Sequence, residues 1–404
     1  MKRLIAKIKR AKPAKDKDAP SSSDASEPQA KGPDLIQNLP PEVRRHLLSV
    51  LDLGQLKLLV HASPGLHQQY RHDRTYVLCR SLEETLRTVT VDAYAVQRLT
   101  SDRRTEPDIA GFLKRAYSQR SASLVGRVTQ DEAVNMVKFH ASVQPVITDF
   151  AHWTLAEDEL NLTNTEIMRL TRAVYRYQLL CLIADPSATS TPRSSKEATI
   201  DALVDIFEPW EVEEIFSFLQ FAEHTHADAM KFVQWILPPE HGIENHYEGS
   251  LALLGLPLLV TVLAKTHDFE LIAVAVRQHM IDSGVLFNPV NSQRVMSQEA
   301  QKLRRRHHRS KRHDMCDQRV DFPFRGDQEP DENFGPESLP PLAWTMIWND
   351  TYSSLYGMYT TDDLRRWGYV FWDKTTMEKL SGERVLRVQW EQNWDGVDPR
   401  DTLG

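Results

Sequence analysis

The chain has 404 residues, of which 41% are hydrophobic and 26% are charged, and its formal net charge is -7. This length and composition predict about two folded units with a sizeable core, and the negative charge argues against a globally basic nucleic-acid binder. Cys79, Cys181 and Cys316 lie far apart, without the spacing of a metal site or a disulfide framework. Such sparse cysteine use is typical of a reducing compartment, so we expect a cytoplasmic or nuclear protein with no membrane span.

Residues 1–33 form a polar tail that starts basic and continues with serines and prolines. Such a segment buries too little apolar area to offset the entropy of ordering, so we predict a disordered tail. Leu4, Ile5 and Ile8 give its start a short amphipathic face. A nuclear-import or membrane-surface signal is therefore the alternative to a solvated tail.

Residues 34–80 predict a module of three short helices. Pro40 and Pro41 suit the first turn of a helix, and Ser63 before Pro64 is typical of a helix cap followed by proline. The apolar positions at helical spacing are Val43, Leu47, Leu48 and Leu51 for the first helix, Leu56, Leu59 and Val60 for the second, and Leu66, Tyr70, Val77 and Leu78 for the third. Such short helices must lean on each other and on neighbouring structure, because each has only one apolar face to bury.

Residues 81–295 continue as a helical body, with apolar residues recurring about every 3.6 positions. Thr163 or Asn164 is a candidate cap for one long helix, and Pro145 is a candidate bend in the helix before it. The most apolar run, Leu251–Ala264, is shorter than the roughly 18 residues of a membrane span. We predict a core helix there and a second one over Phe269–Met280.

Residues 296–338 predict a charged, flexible linker. Its acidic residues lie near its end, and His313 and Cys316 have ligand-like spacing but lack two further ligands. A nuclear-import or phosphate-binding patch and a solvated linker are the alternatives for its basic start. The basic residues are Lys302, Arg304, Arg305, Arg306, Arg309, Lys311 and Arg312.

Residues 339–404 form an aromatic-rich segment that we expect to pack on the body. The spacing of Trp344, Trp348, Tyr352 and Leu355 places them on one helix face, either packed in the core or anchoring a ligand or an interface. Thr361 is a candidate cap for a short helix that ends before Gly368. The segments Tyr369–Trp372 and Val385–Trp390 predict short strands.

No short motif for nucleotide binding, hydrolysis or calcium binding is present, and we predict no catalytic residue, no cofactor and no metal. The nearest approach to a metal site is His224, His226 and Asp228, with His241 and His246 downstream. The alternative is a polar helix end with exposed histidines. The carboxylate pairs Glu213–Glu214 and Asp362–Asp363 are expected on solvated faces and caps, and Cys181 is expected in the core.

The start of the second segment resembles a known family. The run Leu39-Pro40-Pro41-Glu42-Val43, followed by Leu47, Leu48, Leu51, Leu56, Leu59 and Ser63, resembles the F-box. The whole chain is also similar to fungal proteins that combine an F-box-like start with a tryptophan-rich end, which here is the stretch Leu364–Asp373. The resemblance implies docking to the linker subunit of a cullin-based ubiquitin ligase, with Pro40, Glu42, Leu47, Leu48 and Leu51 at or beneath the contact.

The sequence therefore predicts a mainly α protein with an F-box-like module, an irregular multi-helix body and disordered polar segments. The leading hypothesis is an adaptor that binds the ligase linker and an unknown target protein. The alternatives are a helical interaction protein that no longer binds the ligase, and an enzyme with an unrecognised site. The same leucines are also consistent with a purely structural role, in which they build the first helices of one larger domain and bind no ligase.

Overall fold

The computed structural model describes residues 39–102, 108–155, 161–184, 193–231, 251–265, 268–282, 327, 335–347 and 360–394. The predicted mainly α fold is confirmed, and these residues contain helices, turns and loops but no strand. Of the described helices, none is long and apolar enough to cross a membrane. Residues 1–33, the basic residues of 302–312, and His241, His246, His313 and Cys316 all lie outside the described ranges.

The first four helices are α1 (Pro41–Ser49), α2 (Leu53–Ala62), α3 (Pro64–His72) and α4 (Arg74–Leu86). Side-chain caps explain where α2 and α3 start. Asp52 accepts a hydrogen bond from the Gln55 N–H at 2.7 Å and caps α2, and Ser63 caps α3 as its sequence predicts. The predicted third helix was wrong in extent, because the chain breaks at Asp73 and a separate helix, α4, carries Val77 and Leu78.

Helix α4 connects the first three helices to the rest of the fold. It packs against α1, α2 and α3, and it also contacts the next helices of the body. It runs through residue 80, the boundary that the sequence predicts for the module. Leu48, Leu66 and Leu82, all at 0% exposure, belong to the same apolar cluster as the body. The short helices therefore lean on neighbouring structure, as expected, and the shared helix α4 provides it.

The body is built around one long buried helix. Its helices are α5 (Thr90–Asp102), α6 (Ile109–Ser118), α7 (Gln130–Thr154), α8 (Asn164–Ala184), α9 (Arg193–Val204) and α10 (Pro209–Met230). Helix α8 packs against α5, α7, α9 and α10. It starts at a reciprocal cap, in which Thr163 N–H donates to Glu166 and the Glu166 N–H donates to the Thr163 hydroxyl. Helix α7 continues through Pro145.

Two further helices, α11 (Leu256–Ala264) and α12 (Phe269–Asp282), form a second apolar cluster with the end of α10. The prediction of one helix over Leu251–Ala264 was wrong at its start. Gly255 has φ +83, outside the helical region, and Pro257 occupies the first turn of α11. A side chain at Gly255 would also meet the Gln178 amide, which accepts a hydrogen bond from the Leu256 N–H at 2.7 Å.

The C-terminal helices are α13 (Leu342–Ile347), α14 (Asp362–Arg366), α15 (Lys374–Lys379) and α16 (Gly382–Trp394). The predicted Thr361 cap of α14 is confirmed, with Gly368 at φ +73 beyond the helix end. Both predicted strands were wrong. Val385–Trp390 lies inside α16, and Tyr369–Trp372 is a buried turn between α14 and α15. Aromatic and β-branched content favours strands only where neighbouring strands pair with it.

Candidate partner-binding surface and buried charge network

The outward face of α1 carries apolar side chains. Val43 is 45% exposed and Val50, the C-cap residue, is 47% exposed. The half-buried Leu47 lies four residues after Val43 and three before Val50, so the three side chains share one face of the helix. Exposed apolar residues in a row on one helix face are typical of a contact surface rather than of a solvated one.

The five residues predicted for partner binding take three different positions. Pro40 and Glu42 are exposed, Leu47 and Leu51 are half-buried, and Leu48 is completely buried. Leu48 therefore supports the surface from beneath. Sequence reasoning missed Val50 and also Leu58 on α2, which is 73% exposed. The helical spacing that places Val43, Leu47 and Val50 together was visible in the sequence, but it does not reveal which face the other helices cover.

Polar contacts fix α1 and α2 on the underlying helices. The Arg45 guanidinium lies over the Tyr76 ring, 4.0 Å from its centroid. Arg45 of α1 also lies 4.0 Å from Asp73 at the end of α3, and Asp73 is itself held by a hydrogen bond from the Gln69 side-chain amide at 2.6 Å. The Leu53 N–H donates to the Thr85 hydroxyl at 2.9 Å, which ties the start of α2 to α4. These contacts hold the outward side chains of the module on a rigid base.

A network of buried charges crosses the middle of the body. Helix α8 contributes Arg172 and Arg176, whose side chains are only 3% exposed. Arg172 donates two hydrogen bonds to Glu214, at 2.8 and 2.6 Å, and Arg176 donates to Asp92 at 2.9 Å. Glu211 lies between the two guanidinium groups, 3.4 Å from Arg172 and 3.2 Å from Arg176. Burial would raise the pKa of the Glu211 carboxyl, but the two arginines hold it at about 2.

The expectation that Glu213 and Glu214 lie on a solvated face was wrong, because both are fully buried on α10. Glu213 accepts a hydrogen bond from Arg365 of α14 at 2.7 Å. Burial raises the pKa of Glu214 while Arg172 opposes that rise. Adjacent carboxylates usually lie in water, and the arginines from two other helices offset the cost of burying the charges of this pair.

The second carboxylate pair lies where it was expected. Asp362 and Asp363 are exposed in the first turn of α14.

Arg169 of α8 joins the C-terminal segment to the body. Its side chain is completely buried and forms an ion pair with Asp327 at 3.0 Å. It also donates to the backbone carbonyls of Phe371 and Trp372, each at 3.4 Å. Glu166, one turn earlier, accepts a hydrogen bond from the Asp373 N–H at 3.1 Å. These buried acids therefore serve to join helices, since each faces an arginine or a backbone donor.

The histidine and aromatic predictions had mixed outcomes. His226 was expected at an exposed helix end but is completely buried, whereas His224 is 43% exposed and lies 3.7 Å from Asp228. Among the described residues, no three His, Cys, Asp or Glu side chains are grouped to hold a metal. Cys181 is buried in the core, as predicted. Trp344 is also in the core, while Trp348, Tyr352 and Leu355 lie outside the described residues.

The buried histidines predict a loss of stability in mild acid. Burial lowers the pKa of His226 to about 3, with His279 as a further cause, and lowers that of His140 to about 4. Histidine in an unfolded chain has a pKa near 6.5. The unfolded state therefore binds more protons below that pH, and the free energy of unfolding should fall by about 1.4 kcal/mol per pH unit for each histidine.

Urea unfolding between about pH 6.5 and pH 5 checks this result. The His140→Gln/His226→Gln variant cannot titrate at these positions, so its stability should change less over the same range. A variant that loses stability as steeply as the wild-type protein would contradict the assignment.

An open groove of about 670 Å³ lies between α13, α15 and α16. Leu342 and Met377 are buried at its base. Charged side chains surround it, including an Arg387–Glu383 ion pair at 2.7 Å. Opposite charges thus already meet at its edge, and its three basic and two acidic lining residues leave an excess of only one positive charge, too little to select a ligand.

Comparison with known proteins places the chain in no family, since no family description, curated protein or solved structure matches it.

Proposed function

We propose that the chain is a protein-binding adaptor whose F-box-like module, residues 34–80, docks the linker subunit of a cullin-based ubiquitin ligase. The helical body would then hold a target protein. The proposal rests on the resemblance of the module's sequence to the F-box and on one observation, the outward row formed by Val43, Leu47 and Val50 on α1.

The form of the module supports this role. Its inner leucines, represented by Leu48, Leu56 and Leu66, are buried in the core, while Val43 and Val50 are about half exposed on either side of Leu47, which is partly packed on the core. A rigid base with an apolar outer strip is suited to binding another protein, because little side-chain and backbone entropy is lost when the partner docks. Pro40 and Glu42, exposed at the start of α1, lie at the edge of the same surface.

The Val43→Asp/Val50→Asp variant tests the proposal. We expect it to weaken capture of the recombinant linker subunit by about 30-fold or more, because each substitution places a carboxylate in an apolar contact. Both side chains are already partly in water, so the fold should tolerate the change. A charged substitution at Leu48 would not test binding, because a charge at this fully buried position would disrupt the core.

The matched control is Val125→Asp, since Val125 is 40% exposed in the turn between α6 and α7. Circular dichroism should be unchanged in both variants, and the control should bind like the wild-type protein. Failure of the wild-type chain to capture the linker would contradict ligase docking and favour a helical interaction protein that no longer binds the ligase. Equal loss in the control would contradict the assignment of the surface to α1.

A further inference from the structure

Helix α12 carries apolar side chains on two opposite faces. Ile272 and Val276 are buried in the second apolar cluster, where α12 packs against α10 and α11. Leu271 and Val274 lie on the outer face and are 47% and 65% exposed. A helix at the surface of a fold normally carries polar residues on its outer face. The outer apolar residues of α12 therefore contribute little to the described core and form a candidate contact surface.

Two opposite charges flank these apolar residues. Glu270 and Arg277 are both exposed, and they lie on either side of Val274 along the helix. They are separated by about 10 Å along the axis, which is too far for an ion pair within the helix. Neither forms an ion pair with another described residue. The outer face of α12 thus combines an apolar centre with two charges whose opposite charges are not supplied by the described residues.

Helix geometry determines which surface complements this face. Successive residues turn by about 100°, so Glu270 and Arg277 lie about 40° and about 60° to the same side of Val274 and form one edge of the face. Along the axis, Glu270 lies about 6 Å before Val274 and Arg277 about 4.5 Å after it. A twofold axis at Val274, perpendicular to the helix, exchanges these axial positions but keeps the edge. Glu270 of one copy then lies opposite Arg277 of an antiparallel second copy, and this contact occurs twice.

We infer that the outer face of α12 is a self-association surface, on which two copies of this chain pair through antiparallel α12 helices. Val274 meets its own copy at the centre, Leu271 adds apolar area beside it, and the two charge pairs fix the register. A parallel pair is disfavoured, because its twofold axis runs along the helices and places Glu270 opposite the uncharged edge that carries Leu271. One helix from each copy buries less area than a standard stable interface, so the dimer is weak and reversible.

Exchange of the charges tests the pairing directly. Sedimentation of the full-length protein between about 1 µM and about 500 µM measures dimerisation in the range of weak complexes. Glu270→Arg and Arg277→Glu each place like charges across the interface, so each variant should dimerise at least about tenfold more weakly than the wild-type protein. An equimolar mixture of the two variants should recover dimers, because each contact of the mixed pair again joins opposite charges. The Glu270→Arg/Arg277→Glu variant should recover them for the same reason.

Matched charge controls lie on α16, where Arg384 and Glu391 are exposed. Arg384→Glu and Glu391→Arg change the net charge by the same amounts as the two variants of α12, and both should dimerise like the wild-type protein. Circular dichroism should be unchanged in all these variants, since every substituted side chain already lies in water.

The apolar centre is tested with aspartate. Leu271→Asp/Val274→Asp should weaken dimerisation by at least about tenfold, because each substitution places a carboxylate in an apolar contact. The control Val385→Asp/Val388→Asp has the same spacing on the exposed side of α16 and should have no effect.

The inference concerns a surface outside the module and is independent of ligase docking. It is overturned if the wild-type chain stays monomeric up to about 500 µM, or if dimers form equally well in the variants of α12. Single variants of α12 that lose dimerisation without recovering it on mixing would contradict the antiparallel pairing. Equal losses in the variants of α16 would place the contact elsewhere and also overturn the inference.

Discussion

Replacing Arg172 with methionine is expected to lower the free energy of unfolding by about 3–5 kcal/mol, the usual effect of removing one partner from a buried ion pair. Arg172 donates two hydrogen bonds to the fully buried Glu214 and also lies 3.4 Å from Glu211. Methionine fills much of the same volume, so the loss reflects the uncompensated carboxylates more than a cavity. Urea unfolding followed by circular dichroism measures the change.

The double variant Arg172→Met/Glu214→Leu separates the ion pair from simple packing. Removing the carboxylate as well should recover part of the loss, giving an interaction free energy of at least about 1 kcal/mol in the double-mutant cycle. Additive losses would contradict the pairing of Arg172 with Glu214. The control Arg387→Met removes an exposed arginine whose pair with Glu383 lies in water, so it should change stability by less than about 1 kcal/mol.

The Arg172→Met variant should also respond to pH in a defined direction. Burial raises the pKa of Glu214, and without Arg172 nothing of comparable strength opposes that rise. The folded variant then binds a proton that the unfolded chain, with a glutamate pKa near 4.3, releases. Its stability relative to the wild-type protein should therefore fall as pH rises from about 5 to about 8. A deficit that stays constant over this range would contradict the explanation.

Replacing Phe371 with alanine is expected to destabilise the protein by about 3–5 kcal/mol, as for other fully buried aromatic residues. Phe371 lies in the turn before α15, is 0% exposed, and meets the Phe150 ring of α7 edge-on at 5.1 Å. Its backbone carbonyl also accepts a hydrogen bond from Arg169. The substitution leaves a cavity at the point where the C-terminal segment joins the body.

Thermal and urea unfolding measure the effect, with Val388→Ala as the control. Val388 lies on α16 in the same segment but is 39% exposed, so its truncation should change stability by no more than about 0.5 kcal/mol. Limited proteolysis of Phe371→Ala should cleave the C-terminal helices sooner than in the control. A loss below about 1 kcal/mol would mean that the C-terminal segment contributes little to the common core.

The buried network favours one packing of these helices over others. Arg169, Arg172 and Arg176 occupy one side of α8, and together they meet acids or carbonyls from α5, from α10 and from the C-terminal segment. An alternative register of α8 would leave several of these charges buried without partners, which is more unfavourable than a change in apolar contacts alone. We therefore expect the arginines to contribute more to the specificity of the fold than to its net stability.

Several elements were predictable because their signals are local. The caps at Ser63, Thr163 and Thr361 act within three residues. The predictions at Ser63 and Thr361 are confirmed, and at the third helix the structure selects Thr163 from the two candidates Thr163 and Asn164. The mainly α fold followed from apolar residues at helical spacing, because a helix that packs on a core needs one continuous apolar face. The position of Cys181 in the core followed from the same pattern.

Other features depended on partners that are distant in the sequence. Glu213 and Glu214 look like a solvated pair until Arg365 and Arg172, 152 and 42 residues away, are brought beside them. Val385–Trp390 has the composition of a strand, but no described strand is available to pair with it, so its apolar face packs as the helix α16. The outward direction of Val43 also depends on α3 and α4 covering the opposite side of α1.

The amino-acid sequence alone thus determined that the described chain is helical and where many of its helices begin, because backbone capping and periodicity are short-range effects. Only the tertiary structure decided which charges are buried and which apolar residues face water, because burial depends on what the rest of the chain places against each helix. The difference matters for function, since the candidate surface on α1 consists of the residues that the core leaves uncovered.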